Sequence, residues 1–191
     1  MPSVPRAIAN LIGFDDAPFE AAPRHEPVKL VGVVVARDRL DGVVLGEVTR
    51  DGDDATDAVA ALLEGSRFDG HVQAVLLQGI AFGGFNVVDL PALAERLARP
   101  VIVVARKEPR WEKIRSALEK VPGGAAKWAR IERAGPMEPL AGLWVQRAGI
   151  DAADAEATLA LHARYGSLPE PLRVAHLLGA ALVRGHSHGG A

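Results

Sequence analysis

Aspartates at the ends of apolar runs supply the first chemistry in this chain. Asp15 and Asp16 close the run AIANLIGF (7–14). Asp51, Asp53 and Asp54 crowd into the segment DGDD, and Asp89 stands just before Leu90. Carboxylates gathered within a few ångströms repel one another and need a cation to stay ionised together. Most of these acids have a second reading. Asp54 and Asp89 stand where helices begin and could cap them, and Asp-Gly pairs such as Asp51-Gly52 make turns. Asp15 differs, because folding does not require a polar residue at the end of a buried strand. Gln78 and Asn86 add amides, the latter also a common turn residue. Arg106, Lys107, Arg110 and Lys113 form a basic cluster that could meet phosphates or be a solvated helix face. Gly79, Gly83 and Gly84 would let an anion approach backbone N–H groups. Their spacing matches neither the P-loop nor the dinucleotide fingerprint, so a flexible turn is the plainer account. His186 and His188 have metal-like spacing but lie in a tail, and Arg173 and His176 read as packing and capping contacts to the sheet. No Ser-His-Asp arrangement stands out. The absence of cysteine removes thiolate chemistry and disulfides.

The elements that must position these groups follow from apolar patterning. Residues 7–14, 28–36 and 43–50 read as three strands, with the hairpin turn at Asp38–Gly42 signalled by Asp41-Gly42. Asp54 starts a helix through Val59, Leu62 and Leu63 to about Ser66. Val72–Leu77 and Val101–Ala105 are short runs rich in Val, Ile and Leu, suited to strands buried on both faces. Between them lie the Gly79–Gly84 turn and a helix over Leu90–Ala98, with Asp89 as cap and Pro91 in its first turn. This β-turn-α-β unit requires parallel strands and a right-handed crossover. Ligands of such sheets sit beyond the carboxyl ends of the strands, where Gln78, Asn86, Asp89, Arg106 and Lys107 gather. Pro109 opens a helix presenting Trp111, Ile114, Leu118 and Val121, which Gly123-Gly124 ends. Residues 127–148 read as short strand-like pieces, best at Leu143–Gln146. Asp151 caps a helix to about Tyr165, and a last helix from Pro169–Pro171 turns Val174, Leu178 and Leu182 inward. The pattern predicts a mixed five-stranded sheet: three antiparallel strands, then two parallel ones. In it Asp15, Asp54, Gln78 and Lys107 are expected to share one cleft.

Composition narrows the function classes. The chain has 191 residues, 49% apolar and 24% charged, with a net charge of −2. One domain over 1–191 with a loose tail from about 185 is expected. The charge balance gives no global attraction to nucleic acid or to anionic membrane, though a local basic face stays open. No run reaches the length of a membrane span, and the start lacks a signal h-region, so a soluble, cytoplasmic protein is expected. Few aromatics, Trp111, Trp128 and Trp144 among them, leave no stacking platform for single strands. Oligomeric state is not legible.

Five blocks carry a resemblance: GFDDAPF (13–19), RDGDDAT (50–56), LLQGIAFGGFNVVD (76–89), PVIVVARK (100–107) and PEPLRVAH (169–176). Together they resemble an endonuclease V-like family found mostly in archaea (domain-of-unknown-function family ninety-nine), itself similar to endonuclease V. Gly13-Phe14-Asp15 matches the G-x-D that ends the first strand of endonuclease V. Gln78-Gly79-Ile80-Ala81 stands where that protein carries D-G-x-G, so Gln78 replaces an aspartate. Pro100–Lys107 resembles its lysine-ending strand, and Leu168–His176 its late L-P-E-P-T-R-L-A-H. Asp54 is the nearest match, by position, to its helix-start glutamate. The resemblance implies a ribonuclease H-like α/β fold and a nuclease that uses Mg²⁺ or Mn²⁺ on phosphodiesters of nucleic acid. Asp15, Asp54 and Lys107 would be catalytic, Asp15, Asp16 and Asp54 metal ligands, and Gln78, Gly79, Asn86, Asp89 and Arg106 binding residues. Because Gln78 is neutral, a non-catalytic nucleic-acid or nucleotide-binding module is the alternative. A small-molecule enzyme built on the Gly79–Gly84 turn is the third.

Overall fold

The structure, a computed structural model, describes residues 4–19 and 27–188. Nine strands and six helices form among them: β1 (Asn10–Asp16), β2 (Pro27–Ala36), β3 (Arg39–Thr49), α1 (Ala55–Glu64), β4 (Ala74–Gln78), β5 (Ala81–Phe82), β6 (Asn86–Val87), α2 (Leu90–Leu97), β7 (Val101–Ala105), α3 (Trp111–Leu118), α4 (Gly124–Arg133), β8 (Glu138–Leu140), β9 (Leu143–Ala148), α5 (Ala152–His162) and α6 (Glu170–Arg184). Seven strands build one mixed sheet in the order β3-β2-β1-β4-β7-β9-β8. The expected five are there with the expected sense: β1, β2 and β3 are an antiparallel meander, while β1–β4 and β4–β7 are parallel. The expected count of five is corrected to seven, because β9 and β8 extend the sheet antiparallel beyond β7.

Both faces of the sheet's central strands are covered. Ile12, Phe14, Leu77 and Val103 pack on one side with Val59 and Leu63 of α1 and Leu90 and Leu93 of α2. Leu11, Leu76, Ile102 and Val104 pack on the other with Leu159 of α5 and Leu172 and Ala175 of α6. Alternation along a strand therefore sends consecutive residues to different helices. At Gly13 the approach of α6 is so close that an added Cβ would lie 3.0 Å from the Pro171 Cβ and 3.1 Å from the Leu172 nitrogen. Gly179 meets the Ala17 backbone just as tightly, with 3.0 Å from a Cβ to Ala17 Cα.

Several sequence expectations shift. β1 begins at Asn10 and runs through Asp15 and Asp16 rather than stopping before them. The hairpin turn is Arg37-Asp38, with Arg37 at φ 57°, and Asp41-Gly42 lies inside β3. There Val34 pairs with Gly42 and Val35 with Leu40, so Asp41 is the extra residue of a β-bulge. The Gly-rich turn after β4 carries the small β5–β6 hairpin. The third helix stops at Leu118, and Gly123, at φ 71°, begins α4 rather than ending its predecessor. Strand-like pieces were expected from 127, but helix runs to Arg133. α1 and α5 end at Glu64 and His162, before Ser66 and Tyr165. α6 buries Leu172, Ala175, Gly179 and Ala180, while Leu182 is 51% exposed rather than inward. His186 and His188 follow the end of α6 and are exposed. Of the tail expected to be loose, 189–191 lie outside the described residues. Among the described residues, no helix is long and apolar enough to cross a membrane.

Candidate functional site

The carboxyl ends of the parallel strands β1, β4 and β7 form the candidate site. The β1–β4 register pairs Phe14 with Leu77, so Asp15 and Gln78 come next on adjacent strands. Strands lie about 4.8 Å apart. By alternation Asp15 shares the α6 side of the sheet with Gly13, and Gln78 shares it with Leu76. Contacts agree: Asp15 Oδ2 lies 2.9 Å from Nδ1 of His176 on α6. Arg106, just past β7, exerts its charge on both Asp15 and His176.

Asp15 is 4% exposed. Burial, then the like charge of Asp16, pushes its carboxyl up to about 8, against partial relief from the Asp16 N–H and Arg106. Burial and Arg106 push His176 below its ordinary value. Both groups lean towards neutrality, so near pH 7 the pair holds one proton between them. Gln78 completes this side with an unmet demand: its Oε1 is buried and has no hydrogen-bond partner. Such an orphaned acceptor is uncommon in folded proteins.

Asp16 belongs to the opposite side. Its Oδ2 accepts from the Gly83 N–H at 2.7 Å, and burial, foremost, raises its pKa. There the β5–β6 hairpin is tied down by the acidic turn. Asp51 Oδ1 accepts from the Phe85 N–H at 2.8 Å, and the Asp51 N–H donates to the Gly83 carbonyl at 2.8 Å. Behind it stands Lys127 of α4, 1% exposed, whose ammonium donates to the Asp51 carbonyl at 2.5 Å. Asp54 sits at the N-cap position of α1 but its carboxylate does not cap. It accepts from the Thr49 N–H and, at 2.8 Å, from the Thr49 hydroxyl, with the Asn86 amide as a third donor. Asn86, fully buried, caps the helix instead: its Oδ1 accepts from the Ala55 N–H at 2.9 Å and its Nδ2 donates to the Thr49 carbonyl at 2.8 Å.

The expected single cleft is therefore divided by the sheet. Asp15, Gln78, Arg106 and His176 gather on the α6 side. Asp16, Asp54 and Asn86 lie on the α1 side, engaged in holding loops. Asp89 caps α2 through the Ala92 N–H and pairs with Arg133 at 2.5 Å. Lys107 is exposed, one residue beyond the cation whose field reaches Asp15. Gly79, at φ 85°, lines a cavity of 230 Å³ with Ile80, Phe85, Ala105, Trp111 and Ile131. This apolar cavity begins where β4 and β7 end. Sequence reasoning missed His176 as a partner of Asp15. The signal was its place in the PEPLRVAH block, one helical turn beyond Leu172, on the stripe that faces the sheet.

A divalent cation fits this side by its donors. Among the described residues no three His, Asp or Glu side chains stand together as a cage. Mg²⁺, however, commonly takes one or two protein oxygens and draws the rest from water and phosphate. The Asp15 carboxylate and the orphaned Gln78 oxygen are hard donors of that kind.

Comparisons with known proteins agree with this architecture. A UPF0215 protein of Deinococcus radiodurans is 53% identical over 190 residues, covering 97% of this chain and 96% of its own. Further relatives are archaeal. A crystal structure of a protein of unknown function from Archaeoglobus fulgidus superposes with a TM-score of 0.87 at 29% identity, over 93% of this chain and 100% of that one. Human endonuclease V matches with a TM-score of 0.56 at 13% identity, over 93% and 85%. Ciona intestinalis endonuclease V, solved with DNA containing an inosine, matches at 0.51 and 15%, over 90% and 88%. These likenesses identify the fold as endonuclease V-like, of the ribonuclease H type. The family model described as endonuclease dU matches residues 8–183, and the chain belongs to that family.

Proposed function

We propose that this protein is a metal-dependent endonuclease that cuts a phosphodiester of nucleic acid at the ends of β1, β4 and β7. The observation that carries the reading is the buried Asp15 carboxyl, joined to His176 at 2.9 Å and standing beside the unpartnered Gln78 oxygen. Asp15 and Gln78 would hold the cation, which supplies Lewis acidity at the phosphodiester. His176, hydrogen-bonded to Asp15 Oδ2, can take up or release a proton as charge develops. Arg106, with the exposed Lys107 beside it, meets phosphate oxygens. The apolar cavity lined by Phe85 and Trp111 takes the face of a base turned out of its stack. The family's description points to deoxyuridine as the base, and the Ciona neighbour adds inosine as a comparison substrate.

Labelled oligonucleotides bearing deoxyuridine, deoxyinosine or only ordinary bases, incubated with Mn²⁺ or Mg²⁺, test the proposal. Cleavage by the wild type that falls at least 100-fold in Asp15→Ala is expected. Binding without cleavage at either metal would overturn it in favour of a non-catalytic nucleic-acid-binding module. The neutral Gln78, in the place of an acid, is what favours that second reading.

A further inference from the structure

The protein side of the cation site is short of charge. Asp15 and Gln78, neighbours at the ends of β1 and β4, bring one carboxylate and one neutral carbonyl oxygen. Asp16 faces the other side of the sheet and is held by Gly83. Asp54 is held by Thr49 and Asn86. Arg106 places a positive charge in the same field. A divalent ion entering the free protein thus finds one carboxylate and one neutral oxygen as ligands, while the charges of Asp16 and Arg106, both felt at Asp15, oppose each other. A phosphodiester changes this balance, because it brings a further negative charge and an oxygen ligand, and it also engages Arg106.

We infer that the divalent cation loads together with the phosphodiester rather than ahead of it, with Gln78 setting that order. The inference rests on the phosphodiester reading of the same site. The coupling is reciprocal: the ion tightens the nucleic acid by the factor by which the nucleic acid tightens the ion. Gln78→Asp would make the site self-sufficient by supplying the second carboxylate, and Gln78→Leu would remove the oxygen.

Two measurements on the whole protein test this without turnover. Paramagnetic resonance of free Mn²⁺ reads ion binding in the absence of nucleic acid. Binding weaker than millimolar is expected for the wild type and at least ten-fold tighter binding for Gln78→Asp. Anisotropy of a labelled deoxyuridine 12-mer, titrated with and without Ca²⁺, reads the coupling. The wild type should gain at least ten-fold in affinity with Ca²⁺, and Gln78→Leu and Asp15→Asn should gain less than three-fold. Micromolar Mn²⁺ binding by the free wild type overturns the inference, as does an equal Ca²⁺ effect in wild type and Gln78→Leu. The wild-type titrations decide the matter even if a variant fails to fold. Cleavage without coupling defeats this inference and leaves the endonuclease reading standing, whereas coupling without cleavage does the reverse.

Discussion

Burial of the Asp15 carboxyl works against folding once the group ionises, and its pKa makes that measurable. The carboxyl titrates near 8 in the fold against 3.8 when unperturbed. The native state holds this proton more tightly than the unfolded chain does. Its stabilising effect is complete below about pH 4 and is lost as pH rises through 8, at up to about 1.4 kcal/mol per pH unit. Asparagine keeps the shape and never ionises. In buffer with a chelator, Asp15→Asn should therefore melt several degrees above wild type at pH 8.5, and the difference should close towards pH 4. Thermal denaturation across that range checks this; a variant less stable at every pH would show that the buried carboxyl is structural. Asp15 was legible in sequence because it ends a buried strand. Arg106 was harder to distinguish from Lys107, since two cations follow the strand and only alternation decides which one faces Asp15. His176 lies 161 residues from its partner; its place on the sheet-facing stripe of α6 was readable, but nothing local names the residue it meets.

At the scale of elements, the lock around Asn86 joins three of them. Its amide ties the end of β3 at Thr49, the start of α1 at Ala55 and the hairpin strand β6. Asn86→Ala leaves the Ala55 N–H without its acceptor and takes a donor from the half-buried Asp54 carboxylate. A loss of about 2–4 kcal/mol in stability is expected from urea denaturation; a loss under about 0.5 kcal/mol would mean that water replaces the amide. The helix starts at Asp54, Asp89 and Asp151 were legible from composition, although in the fold Asp54 leaves the capping to Asn86. α4 was hidden for a physical reason. Its inward stripe is Gly124, Lys127 and Ile131, and a lysine in the middle of the stripe breaks the apolar rhythm. Lys127 is inside because the Asp51 carbonyl, with Asp51 and Asp53 nearby, receives it. Asp41-Gly42 misled in the opposite direction, since a bulge and a hairpin turn ask for the same residue types.

For the whole molecule, the sheet acts as a divider. The parallel centre was readable because its strands are apolar on both faces, and β9 showed as the strand-like piece at Leu143–Gln146, while β8 was obscured by its three residues and by Pro139 at the edge. The side that carries Asp15 is joined to α6 at two glycines. Gly13→Ala would drive a methyl against Pro171 and the Leu172 backbone, so a loss of about 1–3 kcal/mol is expected in chemical denaturation. A loss below that range would mean that α6 slides aside freely. The contacts at Gly13 and Gly179 also bracket His176 along α6, which holds the helix close to β1 on both sides of the Asp15–His176 pair. The other side of the sheet is different in kind. Gly79, Gly83 and Gly84 sit at positive φ, and the hairpin between them is moored through the Asp51 turn and the buried amine of α4. Under the proposed endonuclease reading, a substrate of awkward shape would be accommodated from one side only, as a workpiece is in a vice with one fixed face. Accuracy of placement would then be set by α6, and tolerance for what is placed by the tether of the hairpin.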